Sequence, residues 1–339
     1  MKLHRLAPLV LAAALLAGCG EKGASSSAAS GASKPLTIAV IPKGTTHEYW
    51  KSLHAGAIQA AQELEKAGQP VEIIWKGPLR EDDRELQIQV VEGFVAQGVD
   101  GMVLAPLDNE ALVRPVEEAV RAGVPTVIID SDVKTDQKVS FVATDNFKGG
   151  ELAADRLGEL MGGKGKALLL RYQVGSASTE DRENGFLTEM KEKFPGIELV
   201  STDQYAGATR ETAKRAAENL LNRYGSVVQG AFAPNETSSI GLMLALEEIG
   251  KVGTIKQVGF DSGATLVEAL KNGKIQGLVV QNPMKMGYLG VKTMVAHLRG
   301  EPVEKRVDTG VSLITPENMS TPESQTLLMP PIEKYLQGQ

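Results

Sequence analysis

The 339-residue chain contains a single cysteine, Cys19. Everything after it lacks a thiol, which excludes a disulfide framework, a thiolate metal site and a cysteine nucleophile. Histidine is also scarce, at four residues, and no close cluster of His, Cys and carboxylates occurs. His47-Glu48 lacks the second His that a zinc-protease helix needs four residues after the first, so no catalytic zinc is expected. Nucleotide loops are missing as well. The segment after the first apolar run, PKGTTHEYW, has no Gly-x-Gly-x-x-Gly, and the nearest phosphate-loop match (Gly158 to Lys164) has Gly165 where Ser or Thr is required. Gly162 and Gly163 read instead as a helix C-cap and turn. No Gly-x-Ser-x-Gly occurs. A surplus of positive charge is missing too: the formal charge is −6 without a basic stripe, which argues against nucleic acid and against docking on anionic lipid. Neither a cofactor nor an enzymatic role is expected. Aromatics are few, with 2 Trp, 6 Tyr and 7 Phe, yet IPKGTTHEYWKS at 41–52 sets Tyr49 and Trp50 side by side next to His47.

The chain opens with two basic residues, Lys2 and Arg5, and an apolar run from Leu6 to Ala17 that is short for a membrane span. Residues 1–18 therefore read as a secretion signal. Leu16-Ala17-Gly18-Cys19 resembles the bacterial lipobox, which implies a lipidated Cys19 as the first residue of the mature protein. Loss of Lys2 and Arg5 takes the formal charge from −6 to −8. Residues 19–35 are small, polar and aperiodic, a tether reaching on the order of 20 Å. A cell-envelope protein, periplasmic or extracytoplasmic and held only by its N-terminal lipid, follows from this reading.

From residue 36 short Val- and Ile-rich runs (TIAVI, VEIIW, DGMVLA, PTVIID) alternate with amphipathic stretches at 49–67, 82–97 and 109–122. A second series follows, KALLL, IELVST, GAFAP and KQVGFD, with helical stretches at 180–194, 208–223 and 237–250. Such alternation predicts βαβ units and parallel sheets covered on both faces. The two series also echo one another. In each, a strand ends in Ala-Pro (105–106, 233–234), an amphipathic helix ends in Gly, and a second strand ends in Asp (Asp130, Asp261). The fold class expected is α/β, with two similar Rossmann-like lobes hinged around a cleft. Ligands of such sheets lie beyond the carboxyl ends of the strands, and a junction between lobes is a favoured place for them.

The residues at those ends are Lys43, His47, Tyr49, Trp50 and Asp130 in the first lobe, and Arg182, Tyr205, Asn235, Asp261 and Gln281 in the second. Carboxylates are plentiful enough for two-carboxylate hydrolysis, but Asp130 and Asp261 at equivalent strand ends suit gripping better than asymmetric acid–base chemistry. Asp accepts hydrogen bonds from hydroxyls, Arg donates a fork of N–H bonds, and Asn and Gln both donate and accept. Tyr and Trp faces cover the C–H face of a ring. An uncharged ring dense in hydroxyls is a sugar, and a site that satisfies hydroxyls rejects analogues without them.

The stretches IAVIP…HEYWKSLHAGAIQAA, QGVDGMVLAP, AGVPTVIIDSD, ATDNFKGGELAAD, DRENGF, AFAPNETSSIGLMLAL, VGFDSG and LVVQNPMKMG occur in this order over most of 36–310. Together they resemble the ribose- and galactose-type substrate-binding proteins of bacterial ABC sugar importers (periplasmic binding protein type I). The resemblance implies a monosaccharide ligand, delivery to ABC permease subunits and a monomeric protein. It implies binding roles for Arg182, Tyr205, Asn235, Asp261 and Gln281. His47, Tyr49 and Trp50 stand where ribose binders use an Asn and two Phe, and Ser131 stands where they use Arg. Lys43 and Asp130-Ser131-Asp132 are similar instead to relatives that bind rhamnose or the furanosyl signal autoinducer-2. The alternative role is a receptor that presents a bound sugar or an autoinducer-2-like ligand to a sensory or chemotaxis system. Three chain crossings are implied near 144–145, 281–282 and 308–310. They place the first lobe at 36–144 with 282–308, and the second at 145–281 with 309–339.

Overall fold

The computed structural model describes residues 34–337. The proposed signal, Cys19 and nearly all of the tether lie outside the described residues. No helix among the described residues is long and apolar enough to cross a membrane.

Most strands are apolar runs of three to six residues, and the central ones read as unbroken rather than alternating because helices cover both faces. In the first sheet β1 (Leu36–Ile41) lies between β2 (Val71–Trp75) and β3 (Gly101–Leu104), and β4 (Thr126–Ile129) and β5 (Phe141–Ala143) follow, all parallel. Helices α1 (Glu48–Lys66), α2 (Arg84–Gln97) and α3 (Val113–Arg121) make the crossovers. After β5 the chain enters α4 (Asn146–Leu160), which packs on the second sheet. There β6 (Gly165–Leu169) lies between β7 (Ile197–Ser201) and β8 (Gly230–Phe232), followed by β9 (Lys256–Phe260) and β10 (Gly277–Gln281). Its helices are α5 (Ala177–Lys193), α6 (Arg210–Tyr224), α7 (Glu236–Glu248) and α8 (Ala264–Lys271).

The chain then returns. α9 (Pro283–Leu298) packs on the first sheet, and β11 (Arg306–Asp308) pairs parallel to β5. Thr309 and Gly310 lead straight to β12 (Val311–Ile314), antiparallel to β10 in the second sheet. The two six-stranded sheets, β2-β1-β3-β4-β5-β11 and β7-β6-β8-β9-β10-β12, match position for position. This is the two-lobed architecture expected from the repeat of Ala-Pro and Asp. Each sheet has a core on either face. In the first, Val40, Val103 and Ile129 pack toward α1 and α9, and Ile41, Met102 and Ile128 pack toward α2 and α3. Each such buried side chain contributes about 1.5–3 kcal/mol.

The end of the chain differs from the sequence expectation. The sequence places 309–339 wholly in the second lobe. α10 (Pro322–Leu328) does pack on β10, but α11 (Ile332–Leu336) packs on α1 of the first lobe. A tail this long carries enough chain to reach across.

Candidate ligand-binding site

β1, β4, β6, β8, β9 and β10 all end at the junction between the lobes, and the residues just past them converge there. Nine of the ten residues singled out from sequence line one cavity: Lys43, His47, Tyr49, Trp50, Asp130, Arg182, Asn235, Asp261 and Gln281. Tyr205 is not among them. Its strand-like bridge to Arg171 holds its ring beneath that guanidinium, 5.1 Å away, and Tyr172 supplies the second lobe's aromatic to the cavity.

Asp130 and Asp261 are the only non-glycine residues with positive φ among the described residues, at 63° and 74°. Each sits at the end of its strand, where the left-handed conformation costs an ordinary residue about 1–2 kcal/mol and Asp rather less. Strained positions of this kind cluster at active sites and ligand clamps. Tyr49 Oη donates to Asp130 Oδ1 at 2.7 Å, and Lys43 Nζ lies 2.9 Å from Asp130 Oδ2. Across the junction, Asp261 accepts from Gln281 Nε2 at 2.8 Å and from the Glu236 backbone N–H at 3.0 Å. Burial pushes the Asp261 carboxyl above its ordinary 3.8, against the pull of Arg182.

Arg182 is fixed on three sides. Nε donates to Asn146 Oδ1 and Nη1 to the Pro234 carbonyl, each at 2.9 Å, and the guanidinium lies 3.9 Å over the Phe260 ring. Its Nη2 has no hydrogen-bond partner within the protein, and neither do Glu236 Oε2 and Gln281 Oε1. All three are buried and belong to cavity residues. Native interiors seldom leave such groups unsatisfied. One donor and two acceptors in a single cavity are what a polyhydroxylated molecule satisfies.

Trp50 and Tyr49 meet edge to face, with ring centroids 4.8 Å apart. Trp50 is 2 % exposed and shares the core of the first lobe, so it serves packing as well as the cavity wall.

Sequence reasoning missed the residue that organises this wall. Glu81, in the loop after β2, is buried and lines the cavity. Its Oε1 takes the Trp50 Nε1–H at 2.7 Å and lies 2.9 Å from His47 Nδ1, and its Oε2 takes the Tyr172 hydroxyl at 2.6 Å. Burial alone would raise its pKa, but His47, Lys43 and Tyr172 hold it at about 2. Burial works to lower the His47 pKa, yet the bond to Glu81 and its charge leave it above 6.5. Nothing in Glu81-Asp82-Asp83 tells the buried acid from its exposed neighbours. Glu236, Ser176 and Ser178 also line the cavity; Glu236 directly follows Asn235, and the two serines lie in the stretch between β6 and Arg182.

Several bonds run across the junction. Lys43 Nζ donates to Ser178 Oγ at 3.2 Å, the Ser178 N–H donates to Ser131 Oγ at 3.0 Å, and the Asn109 N–H donates to the Gly175 carbonyl at 2.8 Å. The cavity between the walls measures only about 30 Å³, about two waters' worth, so a sugar-sized molecule enters only if the lobes part.

Two parallel-sheet lobes joined by three crossings, with a polar cavity between the strand ends, define a hinged binding protein rather than a scaffold for catalysis. The chain belongs to the periplasmic binding protein domain family, whose model matches residues 38–302. The family is one of substrate-binding proteins, which are not enzymes. The chain is 30 % identical over 286 residues to the ribose import binding protein RbsB of Bacillus subtilis, covering 84 % of this chain and 89 % of that protein. Among solved structures it is similar to a carbohydrate transporter solute-binding protein from Agrobacterium radiobacter in complex with D-arabinose. That match has a TM-score of 0.82 and 36 % identity, covering 87 % of this chain and 99 % of the other. A solute-binding protein of an ABC transporter from Agrobacterium vitis, with bound D-fucose, gives a TM-score of 0.82 and 34 % identity, covering 86 % and 99 %.

Proposed function

We propose that this protein is a monomeric, extracytoplasmic sugar receptor, anchored through a lipid on Cys19, that delivers a monosaccharide to the permease of an ABC importer. The hinge is the three crossings at 144–145, 281–282 and 308–310. The observation that carries the reading is the set of unpartnered groups, Arg182 Nη2, Glu236 Oε2 and Gln281 Oε1, between two strained aspartates. Hydroxyls bridging the two rims would favour the closed arrangement, a population shift driven by differential affinity. The sugar-bound neighbours and the ribose-import relative support the same ligand class.

Ligand identity turns on the cation beside Asp130. Ser131 cannot supply one, and Lys43 brings an ammonium from the end of β1 instead. A point charge replaces a planar fork, so hydroxyl geometry is read differently from that in a site with Arg at this place. The same Lys43–Asp130 pair favours one second reading, a sensory receptor for a furanosyl compound of the autoinducer-2 kind.

A thermal-shift screen over pentoses, hexoses, deoxy sugars, polyols and autoinducer-2 tests both. A compound present at a hundred times its Kd stabilises the fold by about 2.7 kcal/mol. If no sugar raises the melting temperature, the receptor reading fails; a response to the furanosyl signal alone selects the second.

A further inference from the structure

The chain beyond β12 carries two short helices that rest on different lobes. α10 is the firm end: Leu328 is 4 % exposed in a cluster with Ile240, Leu270 and Leu278, and the Leu327 carbonyl accepts the Ser262 hydroxyl at 3.1 Å. Then Met329-Pro330-Pro331 crosses over, and α11 lies on α1. Consecutive prolines fix φ and favour an extended, stiff connection. α11 is the less buried end, although it packs along α1. It has five residues, none of them buried, and a helix so short does not persist without its packing partner.

The two anchor points are walls of the ligand cavity. α1 carries Tyr49 and Trp50 in its first turn, and β10 ends in Gln281. A strap from β10 to α1 therefore ties the two rims together. Beneath it lies a second chamber of about 680 Å³ that shares Tyr49, Asp261 and Gln281 with the ligand cavity and has Met329 and Ile332 as part of its lining. The direct bond between the lobes beside this chamber is the Ala264 N–H to Glu48 Oε2, at 2.6 Å and exposed to solvent.

We propose that α11 is a releasable clasp. Docked on α1 it holds the lobes together and closes the chamber beside the cavity; released, with α10 still seated, it lets the hinge open for ligand exchange. The effect on exchange rests on the sugar-receptor reading, whereas the effect on shape does not.

Two variants test it: Ile332→Asp with Tyr335→Asp in the full chain, and a chain ending at Met329. Small-angle scattering without sugar gives a larger radius of gyration for the double variant than for the intact protein at equal chain length. The second measurement uses the monosaccharide giving the largest thermal shift on the intact protein, drawn from D-ribose, D-arabinose and D-fucose. Stopped-flow release from both variants is at least about threefold faster, and association is faster as well, because the sugar enters and leaves only while the lobes are apart. An unchanged radius or an unchanged release rate in the double variant overturns the clasp, and the double variant decides alone if the shortened chain does not fold. If no monosaccharide shifts the intact protein, the receptor reading falls and scattering still decides the clasp.

Discussion

Asp130 and Asp261 hold backbone conformations that most side chains resist, and both carboxylates look into the same cavity. Replacing Asp261 with Ala would confound a lost acceptor with a strained backbone; Asn tolerates the left-handed region, removes the charge, keeps one acceptor oxygen and turns the other into a donor, which a turn of the Gln281 amide can meet. Asp261→Asn is therefore expected to weaken sugar binding by about 1.5–3 kcal/mol, roughly ten- to a hundredfold in Kd by calorimetry, with the melting temperature of the sugar-free protein nearly unchanged. Undiminished affinity would remove Asp261 from the site. The Glu81–His47 pair gives a second prediction, in pH. Glu81 is depressed in the fold to about 2, so its contribution is complete above the ordinary 4.5 and fades as pH falls through that range toward 2. His47 is raised, so its contribution is complete below 6.5 and fades as pH climbs past its folded value. Between about pH 4.5 and 6.5 both are present. Glu81→Gln leaves His47 without its counter-charge and Tyr172 with a weaker acceptor, at a cost of about 3 kcal/mol in that window. Urea titrations across pH should show the difference between the two proteins peaking there; a flat difference would mean the pair carries no such linkage.

At the level of elements, Arg182 stands where it does because α4 and α5 nearly touch. A Cβ on Gly150 would lie 2.0 Å from the Arg182 carbonyl, and one on Gly185 would lie 2.1 Å from that of Phe147. Both neighbours are backbone, so neither can yield by turning a side chain. Gly150→Ala is expected to cost about 2–3 kcal/mol by overpacking and also to weaken sugar binding, because the helix that must move carries the guanidinium. Equal stability in a urea melt would show that the helices have slack. The same scale explains what could be read beforehand. The Ala-Pro and Asp echo marked strand ends, which parallel sheets always gather on one rim, so nine cavity residues could be named from sequence. Tyr205 was misplaced because its segment bridges at Arg171 and turns its ring beneath that side chain, leaving Tyr172 to face the cavity. Glu81 was illegible because its role depends on a loop meeting three partners distant in sequence, and no local pattern encodes such a meeting.

For the whole molecule, affinity is set by how readily the lobes close as well as by what the cavity contacts. Gln173 separates the two effects. Its Nε2 donates to the Glu81 carbonyl at 3.0 Å across the junction, yet it does not line the cavity. With the lobes apart water satisfies both groups, so the bond favours only the closed arrangement, and a neutral hydrogen bond of this kind is worth about 1 kcal/mol. Gln173→Ala should therefore shift the hinge toward open and weaken apparent sugar affinity by about fivefold, since only the closed fraction grips with both rims. Selectivity among sugars should not change, because every contact to the ring remains. That joint outcome, a uniform loss across ligands without reordering, is measured by titrating the two best sugars of the screen against both proteins. A loss confined to one sugar would mean that Gln173 touches ligand, and no loss would mean that closure is governed elsewhere, leaving the strap from β10 to α1 as the principal restraint.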